Sequence, residues 1–129
     1  MAVNDYIKIN SFQERVASSD TLREKFPHSV PVVCFMDPHM NTKKTYYKLL
    51  VNKDITLSAM TFVIRKKIEL DHHHSIFILN ERNELLSAQT PMGVLYQLHR
   101  NQDGFLYFFA RKENCFGHST AQLVNSTFF

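Results

Sequence analysis

The chain has 129 residues, a hydrophobic content of 44%, a charged content of 21% and a formal net charge of +3. These values are typical of one globular domain that buries its core without a metal or a disulfide, and they exclude a wholly disordered chain. The longest apolar runs fall far short of the ~20 residues of a membrane-spanning helix, so we expect any membrane association to be peripheral or covalent.

The N-terminal region predicts helical structure. Residues 1–10 predict a helical turn around Tyr6 to Ile9. Ser11 and Glu14 then have the spacing of a capping box, and Pro27 ends the helix, which is predicted from Ser11 to Phe26. Four apolar residues of this helix are expected to share its buried face: Phe12, Val16, Leu22 and Phe26.

The middle of the chain predicts a hairpin followed by the strongest helix. The segment from Val30 to Met36 is apolar on both faces and predicts a central strand, with residues 37–42 as a loop. The segment from Tyr46 to Val51 predicts an antiparallel partner strand. Thr56 is the expected N-cap of a helix whose buried stripe is Leu57, Met60, Ile64 and Ile68, widened by Val63.

The C-terminal part of the predicted domain contains two more strands and a short helix. A short strand is predicted from Ile76 to Leu79, a turn at residues 80–83, and a helix from Pro91 to His99. Its inner side is expected to carry Met92, Leu95, Tyr96 and His99.

The prediction of the fold depends most on the last strand. Residues Phe105 to Ala110 are apolar throughout, so both faces of this strand must be covered, and residues 111–114 predict a polar turn after it. If this strand lies parallel beside the first one, the long helix covers one face of the sheet and the N-terminal helix covers the other. The elements together predict an α+β domain with one mixed sheet.

Two clusters invite a chemical interpretation that their spacing does not favour. His72, His73 and His74 could hold a metal, but adjacent side chains in a loop diverge and no further ligand has a helical relation to them. Cys115 with His118 could form a thiol nucleophile, but no oxyanion-hole motif lies nearby. The other cysteine, Cys34, is distant in sequence and has no secretory leader before it, which favours a reduced, intracellular protein.

Three other patterns remain open from the residues alone. Gly104 followed by aromatic Phe105 and Tyr107 resembles the glycine-aromatic strand of RNA-recognition modules, although no helix and strand follow it as they do there. The cations at residues 65–67 could bind phosphates, but they also suit the last turns of a helix. Phe116 and Gly117 stand just past the predicted domain, where an extended glycine could thread a narrow enzyme channel.

The chain resembles the autophagy-related ubiquitin-like modifiers, the autophagy-related protein 8 family that includes the GABA-receptor-associated protein and the microtubule-associated protein light chains. The resemblance covers about Phe12 to Gly117. It is carried by Phe26-Pro27 with Pro31-Val32-Val33, Lys48 to Val51, Asp54-Ile55-Thr56, Val63 to Ile68, Leu95-Tyr96-Gln97, Asp103 to Tyr107, and Phe116-Gly117.

The resemblance implies a ubiquitin-like β-grasp fold with a four-stranded mixed sheet and two additional N-terminal helices. Residues 1–27 would form the helical extension, residues 28–117 the ubiquitin-like domain and residues 118–129 a propeptide. A cysteine protease would cut after Gly117. E1-like and E2-like enzymes would then join the glycine to phosphatidylethanolamine, moving a cytoplasmic protein to the autophagosome membrane. No catalytic role, cofactor, metal or nucleic acid is implied.

The resemblance also implies a peptide groove beside an edge strand formed by Tyr46 to Val51, where a short aromatic-x-x-aliphatic motif of a cargo receptor would add a strand. The aromatic side chain would enter a first pocket formed by Leu22, Pro31, Val33, Lys48, Leu50 and Phe105. The aliphatic side chain would enter a second pocket formed by Leu49, Val51, Ile55, Met60 and Val63. Lys67 would join Lys48 in meeting acidic residues beside the motif.

Overall fold

The structure is a computed structural model that describes residues 2–68 and 75–112. The helices are α1 (Ala2–Ile9), α2 (Phe12–Lys25), α3 (Leu57–Ile68) and α4 (Met92–His99), and the strands are β1 (Ser29–Met36), β2 (Tyr46–Asn52), β3 (Ile76–Leu79) and β4 (Leu106–Lys112). The predicted elements are therefore present in the predicted order. One 3-10 turn, Pro38–Met40, lies in the loop between β1 and β2.

Two element boundaries differ from the sequence prediction by more than one residue. The N-terminal helix α1 spans eight residues rather than a single turn. The prediction of a polar turn after Ala110 was wrong for Arg111 and Lys112, because both residues continue β4 and pair with Phe77 and Ile76 of β3. Strand pairing satisfies their backbone groups, so polar side chains at a strand end do not stop the strand.

The four strands form one sheet in the order β2-β1-β4-β3. The central strands β1 and β4 run parallel, whereas β2 and β3 are antiparallel to their neighbours. Both strands that are apolar on two faces therefore occupy the centre, as predicted.

The helices α3 and α4 cover one face of this sheet. The buried core there contains Leu57, Met60 and Ile64 of α3, packed with alternate residues of the central strands such as Leu106 and Phe108. The predicted N-cap is confirmed, since the backbone N–H of Ala59 donates to Oγ1 of Thr56 at 3.2 Å. The predicted stripe was wrong for Val63, which stays 37% exposed.

The helices α1 and α2 cover the other face, which carries Val33, Phe35, Phe105 and Tyr107. The predicted capping box of α2 is present, with Ser11 and Glu14 each accepting from the other's backbone N–H. The expectation that Phe12 and Phe26 are buried was wrong, because each is 47% exposed. The buried side of α2 is instead partly polar: Ser19 is fully buried and Arg15 is nearly so.

Candidate peptide-binding groove

The strand β2 lies at the edge of the sheet. Among the residues that the structure describes, its strand partner is β1 alone, so one side of its backbone has no neighbouring strand. An edge of this kind offers N–H and C=O groups to an extended peptide. Because side chains alternate along a strand, Lys48 and Leu50 point to the face covered by α1 and α2, whereas Leu49 and Val51 point to the α3 face.

The residues of the predicted first pocket all lie on the face covered by α1 and α2. Lys48 is paired with Val33, and Leu50 with Pro31. The Nζ atom of Lys48 lies 5.2 Å from the ring centroid of Phe105, a cation–π distance. These contacts bring strand β2, strand β1 and the start of β4 together at one place beside α2.

The residues of this pocket differ in burial: some form a buried floor and others an exposed rim. Pro31, Val33 and Phe105 are fully buried. Leu50 is 37% exposed, and Lys48 is also exposed. Leu22 of α2 is half-buried and packs against the aromatic cluster. A ligand side chain would therefore meet the exposed rim first, and the buried residues set how deep it can go.

The residues of the predicted second pocket lie on the opposite face of the sheet, at the junction of β2 with α3. Most of them belong to the core there: Leu49 and Val51 are each 7% exposed, and Met60 is fully buried. Ile55 is half-buried. The accessible positions are Val63 and Lys67 of α3.

A buried carboxylate, which the sequence analysis did not single out, fastens α2 to the sheet. Asp103 is 1% exposed. Its Oδ2 atom lies 3.0 Å from Nε of Arg15 and also accepts from the hydroxyl of Tyr107. Its Oδ1 atom accepts from the backbone N–H of Phe105 at 2.8 Å. Since Phe105 is the floor of the first pocket and α2 carries Leu22, this carboxylate holds two walls of that pocket together.

The neighbouring Gly104 lets α2 approach this turn closely. Its φ angle is +93°, a conformation that side chains disfavour, and an added Cβ would lie 2.3 Å from Oγ of Ser19. That same hydroxyl donates to the backbone carbonyl of Asp103 at 2.5 Å. The sequence signal was an acidic residue and a glycine just before an apolar strand, which alone indicates only a turn.

Tyr6 of α1 covers the aromatic residues on the sheet face that α1 and α2 pack against. Its ring packs edge-on against Phe35, Tyr46 and Tyr107, at centroid distances of 6.1, 5.0 and 6.2 Å. Burial, followed by the negative charge of Asp103, raises the pKa of Tyr6. Burial and the hydrogen bond to Asp103 likewise raise the pKa of Tyr107. Both phenols therefore stay neutral.

This packing bears on the RNA-recognition alternative. Base stacking needs exposed aromatic rings. Phe105 is 1% exposed and Tyr107 is 7% exposed, and both lie beneath the N-terminal helices. In this structure neither ring offers a face to a base.

The other candidate sites are only partly covered by the structure. His72 to His74, and the tail residues Cys115 to His118 with Phe116 and Gly117, lie outside the described residues. Within the described ranges no three His, Cys, Asp or Glu residues are grouped to hold a metal, and no helix could span a membrane. Cys34 is fully buried, and burial raises the pKa of its thiol to about 12, so it is not an accessible nucleophile.

The sheet, the crossing helix α3 and the two preceding helices define a ubiquitin-like domain with an N-terminal helical extension. A solved structure titled "Crystal Structure of Trypanosoma brucei ATG8" matches it with a TM-score of 0.75 over 84% of this chain and 93% of that chain. The two sequences are 24% identical, so this likeness concerns the fold.

Sequence comparison identifies the family. The family model described as "Autophagy protein Atg8 ubiquitin like" matches residues 14–117. Autophagy-related protein 8 of Schizosaccharomyces pombe is 38% identical over 83% of this chain and 88% of its own length. The Mycosarcoma maydis protein of that name is 36% identical over 84% and 92%. The chain belongs to the Atg8 family of ubiquitin-like autophagy proteins.

We expect the buried ion pair to be essential for stability. Replacing Arg15 by alanine leaves the Asp103 carboxylate buried without its cation, which should lower the free energy of unfolding by about 3 kcal/mol. The matched control is Arg82→Ala, which removes an exposed pair with Glu84 and should cost far less. Urea unfolding of both variants checks this; equal losses would show that Asp103 does not depend on Arg15.

Proposed function

We propose that this chain is a ubiquitin-like modifier of autophagy that is cleaved after Gly117 and joined to phosphatidylethanolamine on autophagosomal membranes. There it recruits cargo receptors and other machinery through short aromatic-x-x-aliphatic motifs. The observation that carries the peptide-binding half is the edge strand β2 with Lys48 and Leu50 exposed beside the buried Phe105. Family membership supports the conjugation half.

In the proposed groove the ligand pairs with the backbone of β2 and places its two apolar side chains on opposite sides of that strand. The aromatic side chain enters beside Leu50 and Leu22, and the aliphatic one sits against Val63 over the buried Leu49 and Val51. Since Met60 is fully buried, the second pocket is shallow until its flexible side chain shifts. Lys48 and Lys67 attract acidic residues that flank the motif.

The expected affinity is modest. Burying an apolar side chain is worth ~1.5 to 3 kcal/mol, and two pockets with a few strand hydrogen bonds, less the cost of ordering the peptide, suggest about −8 kcal/mol or micromolar binding. A membrane coated with many copies converts such contacts into avid capture of multivalent cargo receptors.

The conjugation half concerns residues outside the described part of the chain. The family match ends at Gly117, which supports a boundary between the domain of residues 28–117 and a propeptide of residues 118–129. A cysteine protease would hydrolyse the bond after Gly117. An E1-like enzyme would activate the new carboxylate with ATP as an adenylate, releasing pyrophosphate, and a thiol would displace AMP to form a thioester. An E2-like enzyme would pass the acyl group to the amine of the lipid, which releases the thiol.

Lipid attachment gives the protein a stable membrane anchor. Phosphatidylethanolamine carries two acyl chains, and burial contributes ~0.8 kcal/mol per methylene, so anchoring is far firmer than with one myristoyl chain. The alternative is an unprocessed peptide-binding adaptor. Intact masses from the soluble and membrane fractions of the protein's own cells separate the two: a single species ending at Phe129 in both fractions would leave only the adaptor.

We expect Leu50→Ala to weaken binding of a synthetic acidic peptide with an aromatic-x-x-aliphatic motif by more than about tenfold, or ~1.4 kcal/mol, because Leu50 lines the rim of the first pocket. Calorimetry measures the affinity. The matched control is Leu98→Ala on α4, where an even more exposed leucine lies away from β2 and should be neutral. Unchanged affinity of a folded Leu50→Ala protein would contradict the groove.

We expect Gly117→Ala to remain full-length and to stay off membranes, because the added Cβ blocks the narrow channels of the protease and transferases. Intact-mass analysis and fractionation of cells expressing the variant test this. The control His118→Ala keeps the glycine and should be processed normally. Normal recruitment of the Gly117→Ala protein to membranes would exclude conjugation through this residue.

We expect Cys115→Ser to be lipidated normally, because the proposal gives no reaction to this thiol. The measurement is the fraction of lipidated protein in cells or in a reconstituted reaction. Loss of lipidation would mean that Cys115 takes part in processing or transfer, which the proposal does not include.

A further inference from the structure

One end of the sheet collects positive charge. The parallel strands β1 and β4 both finish there, and the loop that enters β2 lies beside them: the backbone N–H of Met36 donates to Thr45 at 2.8 Å, and that of Asp37 donates to Ala110 at 3.0 Å. Four cations stand on these segments, and we call them the basic end: Lys43, Lys44, Arg111 and Lys112.

The cations of the basic end are accessible and only partly neutralised. Lys43 and Lys44 are exposed, whereas Arg111 and Lys112 are half-buried. The described acidic residue beside them is Asp37, which also accepts from the backbone N–H of His39 at 2.8 Å. Among the residues that the structure describes, these four cations and that one anion sum to a formal charge of +3.

The arrangement of these charges suits a flat surface better than a narrow groove. Arg111 and Lys112 are consecutive in a strand, so their side chains point to opposite faces of the sheet. Lys44 belongs to the loop that enters the edge strand β2, and its Nζ atom lies 5.8 Å from the centroid of the Tyr47 ring. A ligand that meets all four cations must therefore cover the end of the sheet rather than one of its faces.

The short segment between Lys112 and Gly117 keeps the basic end near a bilayer once the protein is joined to a lipid. The attachment point Gly117 of the proposed function, on which this inference rests, is five residues beyond Lys112. Five residues span at most about 18 Å when fully extended. Once Gly117 is joined to a lipid, the basic end stays within that distance of the headgroups and can reach the zone of about 8 Å where surface charge is felt at physiological salt.

We propose that the basic end binds anionic headgroups of the membrane and so orients the domain on the bilayer. Attraction to the charged surface holds this end of the sheet against the bilayer, so that the strands run roughly along the membrane normal. The edge strand β2 then runs away from the bilayer with its open side accessible to partners. The lipid surface therefore helps to present the groove.

The test uses the full-length, unprocessed chain, so it does not depend on cleavage or lipidation. Flotation measures its binding to vesicles of phosphatidylcholine alone and of equal parts phosphatidylcholine and phosphatidylserine. We expect binding only to the anionic vesicles, weakened by added salt. The double variant Lys43→Gln and Lys44→Gln should bind at least about tenfold more weakly, since each cation at an anionic surface contributes about fivefold.

The matched control removes the same charge from the other end of the sheet. Lys25 and Lys53 are exposed there, next to the start of β1 and the end of β2, and their double glutamine variant should lose less than about twofold. Equal losses in both variants would mean that net charge alone acts and would overturn the proposal. So would absence of wild-type binding, or unchanged vesicle binding of the variant that lacks Lys43 and Lys44.

Discussion

The buried carboxylate of Asp103 is the constraint on which the helical side of this domain depends. A charge 1% exposed is costly unless it is fully paired, and Asp103 meets that condition with partners from α2, β4 and the backbone of its own turn. The carboxylate is fully paired only when α2 lies on the sheet, because Arg15 belongs to α2 and reaches Asp103 only in that position. The same contact therefore holds Leu22 beside Phe105 and gives the candidate groove its helical wall.

The aromatic packing above the sheet explains why the N-terminal helices belong to the domain. Without them Phe35, Phe105 and Tyr107 would expose a broad apolar face, which a monomeric protein rarely leaves open. Tyr6 and Leu22 supply the cover. In the part of the chain that the structure describes, the outer side of the edge strand β2 has no strand partner, so this part combines a closed aromatic face with an open strand edge.

The strands also give the domain two different ends. One end carries the basic residues and leads toward Gly117, and the other holds the start of β1 and the turn between β2 and α3. The groove lies between these ends along β2. In the proposed function, membrane attachment and peptide capture therefore use separate parts of one small sheet, so both can occur at the same time.

The sequence alone determined the elements and their order. Doubly apolar runs identified the central strands β1 and β4, and capping residues such as Ser11 and Thr56 located the helix starts, because these signals are local. The motifs near Lys48, Asp103 and Phe116 also sufficed for the family resemblance, and with it the prediction of a groove. Each of these inferences uses only residues that are close together in the sequence, or a sequence pattern already known from a family.

Only the tertiary structure decided what depends on distant partners. Phe12, Phe26 and Val63 are apolar and were expected to be buried, yet they are exposed, since burial depends on which surfaces of the helical segments the sheet contacts. Arg111 continues a strand because β3 lies beside it. Asp103 is buried because Arg15, 88 residues away, supplies its countercharge. Local patterns do not contain such pairings, since they form only when the sheet brings separate segments together.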